Sequence, residues 1–513
     1  MVGNEGAVVA PDWFLTPDEI TLHRGGCPRE PLRPYTLQGN SVKLLVNGDH
    51  VFSELYKDLL AVKAGDFIWM TGWDIDSTVM LYPNPNDPMK ANESHIDSLL
   101  IAAIGRGVEV RMLLNSPNLL DPLKPLLFAL ALNEAAGKTV CAPDDRHNSV
   151  WGSVHQKSWV IQRDNETVAY VGSMDIAAGR YDTRAHDQNA WWQLEPPFPQ
   201  GFYGFTGGML QVKGQAVVDI ARHLFDQITD PVDPFYDYTL APIEWPDPPI
   251  GTYDEPAQIQ VLLTAGPRGG AVYGYYSNWA PRGELTVMAA TLKAISRATK
   301  YIYLSDQFMW YQPILDAISE RLPHVQGVLL LTDSGYALDH VVLGYDIKSL
   351  RDAKFYYQHR AWRSLEGQPK VSAYQMVKEG LSAPPPVENM YHIIYTHWKV
   401  LIVDDEFAII GSAGVEQSGM TNDLDMSVGV YDKTTVTEIR KQLWSEHLNL
   451  GADDSRLADP LSAIHSLWPA VADANPPGRV RRYWPGDVEY YSYYKHIWEI
   501  FEPCGLIDQG KCQ

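Results

Sequence analysis

The sequence predicts an α/β fold of two similar α/β/α sandwich halves related by a pseudo-twofold axis, with one site at their interface. Three observations carry this. Apolar strands and amphipathic helices alternate from about residue 41, and the same order restarts near residue 257. A His-x-Lys pair beside an apolar run, followed by a polar turn, a second apolar run and a Gly-Ser exit, occurs twice, about half a chain apart. Between the copies lies a Pro-rich stretch, Asp230 to Pro256.

In chain order, residues 1–40 are rich in Pro and Gly and read as an arm laid over the surface. The first half, 41–229, opens with the strand Leu44–Gly48. An amphipathic helix follows, with Phe52, Leu55, Leu59 and Leu60 on one face, and then the strand Phe67–Trp73. A helix within Ser94–Gly107 is stopped by Gly105 and Gly107 and leads into the strand Val108–Asn115. After the linker, 230–256, the second half, 257–450, repeats the order. Its elements are the strand Ile259–Ala265, the helix Glu284–Ala298, the strand Tyr301–Asp306, a helix over Ile314–Leu322 and the strand Gly327–Asp333. Such alternation predicts a mostly parallel sheet covered by helices. Residues 451–513 form an extension with Pro, Trp and Tyr clusters that are expected to pack on the halves.

Composition bounds the function. The chain has 513 residues, 45% hydrophobic and 20% charged, which is ample for a large core. A net charge of −22 argues against an indiscriminate nucleic-acid binder, because phosphate neutralisation needs a basic surface. The cysteines, at 27, 141, 504 and 512, contain no CxxC pair, so no zinc site is expected. Cys504 and Cys512 are placed to close a C-terminal loop or to remain as thiols. The first residues lack a basic segment followed by an apolar core, and no run approaches the ~18 apolar residues of a membrane span, so a soluble or peripheral membrane protein is expected.

The chemistry concentrates in the repeated motif. Tyr395–Gly414 holds His397 and Lys399, and Val154–Asp175 holds His155 and Lys157 at the same spacing. On a strand, positions two apart share a face, so each pair points an imidazole and an ammonium to one side. A lone pair of this kind is a common structural feature; two with matching Gly-Ser exits are not. Two histidines and two lysines around one volume suit a phosphodiester. The lysines would neutralise the non-bridging oxygens, one imidazole would attack phosphorus and the other would protonate the leaving oxygen. No metal or other cofactor is required for that chemistry, and no carboxylate–histidine cluster has metal-ligand spacing along the sequence.

At these motifs the chain resembles the phospholipase D superfamily, whose signature is HxK, four residues and Asp, then Gly-Ser or Gly-Gly, once per half. The resemblance covers about residues 42–450 and is closest to the eukaryotic-type enzymes. Gly179–Thr183 is similar to their GRYDT, Val403–Ser418 to VDDEFVLIGSANINQRS, and Leu210–Gln227 to the stretch around RLEGPAV. It implies His155 as nucleophile, His397 as acid, and Lys157 and Lys399 as phosphate ligands. It also implies supporting roles for Asp404, Asp425, Ser173, Ser412, Gln162 and Asp175.

Three departures stand out: Gln162 in place of the motif Asp, Gly414 where many members have Asn, and Gly207 where the first half usually supplies an acidic residue. Family members orient each histidine with a carboxylate from later in the same half. Asp425 is therefore expected to serve His397, and Asp175, Asp182 or Asp187 to serve His155. The implied substrate is a glycerophospholipid. The short arm shows no lipid-binding module, whether calcium-dependent or phosphoinositide-binding. Peripheral membrane contact would then rest on exposed aromatics, with Trp310, Trp362 and Trp398 as candidates, although Trp398 is expected to lie buried under its strand, and a calcium requirement for lipid binding is left open. The alternatives are a nuclease or other phosphodiesterase of the same superfamily, and a weakened binding or scaffold protein signalled by Gln162, Gly207 and Gly414.

Overall fold

The computed structural model describes residues 12–24, 33–37, 39–77, 79–83, 91, 93–116, 123–144, 152–186, 202–230, 239–266, 280, 283–333, 356–379, 393–475 and 478–485. Cys27, Cys504, Cys512 and Asp187 lie outside them.

The first half contributes β1 (Asn40–Val46), β2 (Phe67–Gly72), β3 (Glu109–Asn115), β4 (Cys141–Asp144), β5 (Ser158–Arg163), β6 (Glu166–Gly172), β7 (Phe202–Thr206) and β8 (Gly208–Gly214). Seven of these form one sheet in the order β1-β8-β6-β5-β2-β3-β4. After a short N-terminal helix α1 (Pro17–His23), its helices are α2 (Asn47–Ala61), α3 (Ile96–Gly105), α4 (Lys124–Ala136) and α5 (Ala216–Thr229).

The second half contributes β9 (Gln258–Ala265), β10 (Glu284–Leu285), β11 (Tyr301–Asp306), β12 (Gly327–Thr332), β13 (Val371–Met376), β14 (Ile393–Thr396), β15 (Lys399–Val403), β16 (Phe407–Gly411), β17 (Asp425–Tyr431) and β18 (Val480–Arg482). Its helices are α6 (Thr286–Arg297), α7 (Gln312–Arg321), α8 (Gln417–Thr421) and α9 (Lys433–His447). The second sheet runs β10-β9-β17-β16-β15-β11-β12-β13-β18. Without its two edge strands it repeats the first sheet strand for strand. β7 and β14 pair with each other, parallel, between the halves.

Three apolar layers follow from strand alternation. Val160, Ala169, Leu210, Val400, Ile410 and Val428 face inward, where α5 and α9 fill a core shared by both sheets. Met70, Met112 and Ile161 face outward under α2, α3 and α4. Ile302, Leu304, Leu401 and Val403 do so under α6 and α7. Each motif hairpin turns through left-handed residues that Asp and Asn tolerate: Asp164 and Asn165 at φ 51° and 63°, Asp404 and Asp405 at 60° and 57°.

Three expectations are corrected. Each sheet is mixed, and only β2-β3-β4 and β11-β12-β13 run parallel, because each motif hairpin inserts antiparallel beside β2 or β11. The described part of the arm is a packed element: Trp13, Phe14 and Leu15 are buried, and Trp13 stacks on Phe407 at 5.7 Å. The ladders begin at Ser158 and Lys399, so both histidines stand in extended chain just before their strands. Among the described residues no helix is long and apolar enough to cross a membrane.

Candidate active site

Each motif is pinned by backbone to the opposite half. Thr396 of β14 bridges Thr206 of β7, and His397 N donates to Thr206 O at 2.8 Å. The matching bridge in the other direction is Val154–Leu424. His155 N and Gln156 N donate to Leu424 O at 3.0 and 2.8 Å, and Leu424 N donates back to Ser153 O at 2.8 Å. The residues after Thr206 and Leu424, Gly207 and Asp425, are therefore counterparts, and each lies beside the histidine of the other half.

This overturns the expected pairing. Asp425, fully buried, accepts from His155 Nδ1 at 3.1 Å, so the second half orients the histidine of the first. None of the described candidates for His155 takes that place. Asp175 lies by Lys157, its Oδ1 3.6 Å from Nζ. Asp182 Oδ2 accepts from Phe205 N and His186 Nδ1 at 2.7 and 2.8 Å. Asp423 reinforces the clamp by accepting from Ser153 N and Oγ at 2.6 and 3.2 Å.

His397 has no carboxylate on Nδ1. Gly207 offers no side chain, and a Cβ built there would stand 2.9 Å from the ring of Phe205. That ring packs on the imidazole, centroids 5.5 Å apart, and Nδ1 bonds the carbonyl oxygen of Ser173 at 2.7 Å. A carbonyl only accepts, so the proton of neutral His397 is on Nδ1 and Nε2 is the free lone pair. His155, donating to Asp425, presents Nε2 in the same way.

The lysines complete the cluster. Lys157 Nζ donates to His155 O at 2.6 Å and lies 5.5 Å from the Trp73 ring centroid. Lys399 Nζ donates to Gln307 Oε1 at 3.1 Å and His397 O at 3.2 Å. Arg180 stacks over Phe205 at 5.1 Å and reaches toward Asp175 at 3.9 Å. Burial lowers the pKa of His155, helped by Lys157 and opposed by Asp425. Burial, then Lys399, Arg180, Lys157 and His155, hold His397 well below the ordinary histidine range. Burial brings Lys399 down to about 8 against the pull of Asp306. The two motifs thus sense each other's charges.

The remaining predicted residues act at a distance. Asp404 accepts from Thr299 N, Lys300 N and Tyr301 N (2.7–2.8 Å), tying down the start of β11 at the end of β15 away from His397. Gln162, its counterpart, donates to Asp66 Oδ1 at 3.1 Å. The hydroxyls of Ser173 and Ser412 bond the backbone of Gly208 and Met426 and hold each Gly-Ser exit to the next strand. Trp310 and Trp362 are buried, which removes them as lipid contacts, and Trp398 is buried as the sequence suggests. Trp398 Nε1 donates to Thr206 Oγ1 at 3.0 Å, and its ring fills the space above Gly208.

Residues that sequence reasoning did not place in the site are Asp423, Arg180, Gln307 and Trp73. Arg180 was visible inside the GRYDT segment. Gln307 and Trp73, one residue beyond Asp306 and Gly72 at the ends of β11 and β2, occupy matched positions.

Among the described residues one group has metal-ligand spacing, His155, Asp423 and Asp425, with ligand atoms within 4.8 Å of one another. Linear spacing hid it, since its members come from different halves. Its oxygens already serve Ser153 and His155, and the adjacent Lys157 ammonium opposes a second cation there.

A buried hydrogen-bond chain runs beside Thr206, whose hydroxyl donates to Glu446 Oε2 at 3.3 Å. His186 bonds Asp182 and Glu446 (both 2.8 Å), Glu446 bonds His447 Nδ1 at 2.6 Å, and His447 Nε2 meets Tyr303 Oη at 2.9 Å. Although burial opposes it, the two carboxylates push the His186 pKa up to about 9.

The family model "Phospholipase D" matches residues 362–467, which include His397 and Lys399. Phospholipase D1 of Saccharomyces cerevisiae is 23% identical over 508 residues, covering 80% of this chain and 29% of that protein. Phospholipase D alpha 1 of Zea mays is 23% identical over 528 residues, 79% of this chain and 64% of its own length. Phospholipase D2 of Bos taurus is 23% identical over 566 residues, 89% and 58%. The matches thus span less than two thirds of each of these curated relatives. Phosphatidylserine synthase of Haemophilus influenzae shares the fold, with a TM-score of 0.50 and 10% identity over 84% of this chain and 89% of that structure. Together with the duplicated sheets and paired His-x-Lys motifs, these matches support membership of the chain in the phospholipase D superfamily.

Proposed function

We propose that this protein is a phosphodiesterase that cleaves the head-group phosphodiester of glycerophospholipids, and passes the phosphatidyl group to water or an alcohol, through a covalent phosphohistidine. The observation that carries this reading is the meeting of His155, Lys157, His397 and Lys399 in one largely buried cluster, with both Nδ1 atoms engaged and neither Nε2 atom bonded among the described residues.

His155 Nε2 attacks phosphorus while the bond to the head-group oxygen breaks, and that oxygen takes a proton from His397. Asp425 stabilises the positive charge that grows on the attacking ring, as a carboxylate on the far nitrogen does. Lys157 and Lys399 stabilise the non-bridging oxygens most strongly when five-coordinate phosphorus concentrates their charge. His397, neutral in the empty site, is protonated once the anionic diester offsets the surrounding cations. In the second step His397 takes a proton from water or alcohol, whose oxygen attacks phosphorus and frees His155.

A second reading, a catalytically weakened binding protein, draws on one observation: His397 lacks the carboxylate that His155 has. Hydrolysis of phosphatidylcholine, phosphatidylethanolamine and single-stranded DNA, measured side by side with a p-nitrophenyl phosphodiester, tests both. Turnover of the lipids supports the proposal, turnover of DNA alone replaces it with a nuclease, and no turnover of any substrate leaves the binding reading.

A further inference from the structure

The helix α4 (Lys124–Ala136) is apolar all round yet half exposed. Pro125, Phe128, Ala129 and Leu132 are buried in the outer core of the first half. On the opposite side Leu123, at its N-cap, Leu127 and Leu130 are 61%, 62% and 46% exposed, and their i, i+4, i+7 spacing makes one stripe. Lys124 and Glu134 are the helix's only charged residues. Lys124 turns away from the stripe to pair with Asp74 at 2.9 Å and Asp76 at 3.6 Å. A surface helix ordinarily carries polar residues where this one carries leucine. Exposed apolar patches of this kind mark interaction surfaces.

The stripe begins beside the site. Lys124 holds Asp74, Asp74 N donates to Asp175 Oδ1 at 3.2 Å, and Asp175 faces Lys157. Trp73, next in the chain to Asp74, packs on His155 with ring centroids 6.4 Å apart. The first turn of α4 is thus linked through Asp74 and Asp175 to the phosphate-binding lysine.

We propose that Leu123, Leu127 and Leu130 dock the protein on a zwitterionic lipid surface, with the site held at its edge; this rests on the phospholipid reading above. Charge and size select that occupant. A chain of net charge −22 is repelled by anionic surfaces and by a second copy of itself, whereas phosphatidylcholine presents no net charge. Three leucines also fall far short of the roughly 20–30 residues a side that a stable protein interface uses. They suffice for reversible insertion among acyl chains.

The test is flotation of the full-length protein with phosphatidylcholine vesicles, for the wild type, Leu127→Ser and the triple variant Leu123→Ser/Leu127→Ser/Leu130→Ser. Each leucine removed is expected to weaken partitioning about tenfold. Hydrolysis of a soluble p-nitrophenyl diester and the thermal midpoint should stay at wild-type values, because the side chains are exposed. Vesicle binding by the triple variant equal to wild type would overturn the proposal. So would a wild type that does not float, or light scattering showing that the leucines hold a dimer while vesicle binding is unaffected. Failure of the phospholipid reading is separable: it appears as absent hydrolysis of phosphatidylcholine by a wild type whose leucine-dependent flotation is intact.

Discussion

Replacing Asp425 by Asn tests the cross-half support of His155 with little disturbance of packing. The carboxylate is fully buried and bonds His155 Nδ1 at 3.1 Å, so in the proposed mechanism it offsets the charge that His155 would acquire in attacking phosphorus. Hydrogen bonds to charged groups contribute about 1.5–3 kcal/mol. Asn retains an acceptor and loses the charge, so Asp425→Asn should lower kcat on a soluble p-nitrophenyl diester by about 10- to 150-fold, with KM changed little. Because Asp425 acts through His155, the loss should persist in a His397→Ala background assayed with an activated ester whose leaving group needs little protonation. If Asp425 served His397 instead, the second substitution would add nothing. Activity of Asp425→Asn within twofold of wild type, or no further loss in the His397→Ala background, would refute the reasoning.

Three other outcomes follow from the same geometry. Hydrolysis of a soluble diester should survive EDTA, because the proposed charge stabilisation comes from Lys157 and Lys399; loss in chelator, restored by a divalent ion at His155, Asp423 and Asp425, would contradict it. Ethanol should divert product to the ethyl ester in proportion to its concentration, since a phosphohistidine accepts any small hydroxyl that reaches it; unchanged product in ethanol would count against the intermediate. The raised pKa of His186, about 9 against 6.5, makes a stabilising contribution that is fully present below pH 6.5 and is lost as pH rises through about 9. It amounts to about 3 kcal/mol. Denaturant melts from pH 6.5 to 10 should show that decline, and His186→Gln, already less stable at pH 6.5, should lack it.

The features of the fold and site that are legible in the sequence are local ones. His155 with Lys157 and His397 with Lys399 are readable because two-residue spacing, apolar flanks and Gly-Ser exits sit within twenty residues. Their repetition announces the duplicated fold. The placement of Trp398, Val400 and Ile402 on one face and Lys399, Leu401 and Val403 on the other follows from strand alternation alone.

What was not legible depends on contacts between distant segments. Asp425 stands 270 residues from His155, and only the parallel bridges Val154–Leu424 and Thr206–Thr396 show that each half supports the other's histidine. The missing carboxylate at Gly207 could be read from the sequence, whereas its replacement by the Ser173 carbonyl and the Phe205 ring could not, since neither is a motif residue. The antiparallel insertion of the hairpins beside β2 and β11 leaves no periodic signature. Residue type alone makes Trp310 and Trp362 candidates for lipid contact, but large aromatics are as readily buried, and among the described residues the large exposed hydrophobics are leucines and Ile101.

The central claim is a covalent phosphohistidine on His155, released with the help of His397. Its most direct test is mass spectrometry of peptides from acid-sparing quenches of the His397→Ala variant reacting with an activated phosphodiester. A phosphoryl adduct on the peptide carrying His155 should accumulate in His397→Ala and be absent from His155→Ala. An adduct on His397 in the wild type, or turnover with no adduct and inversion at a chiral phosphorus, would contradict it.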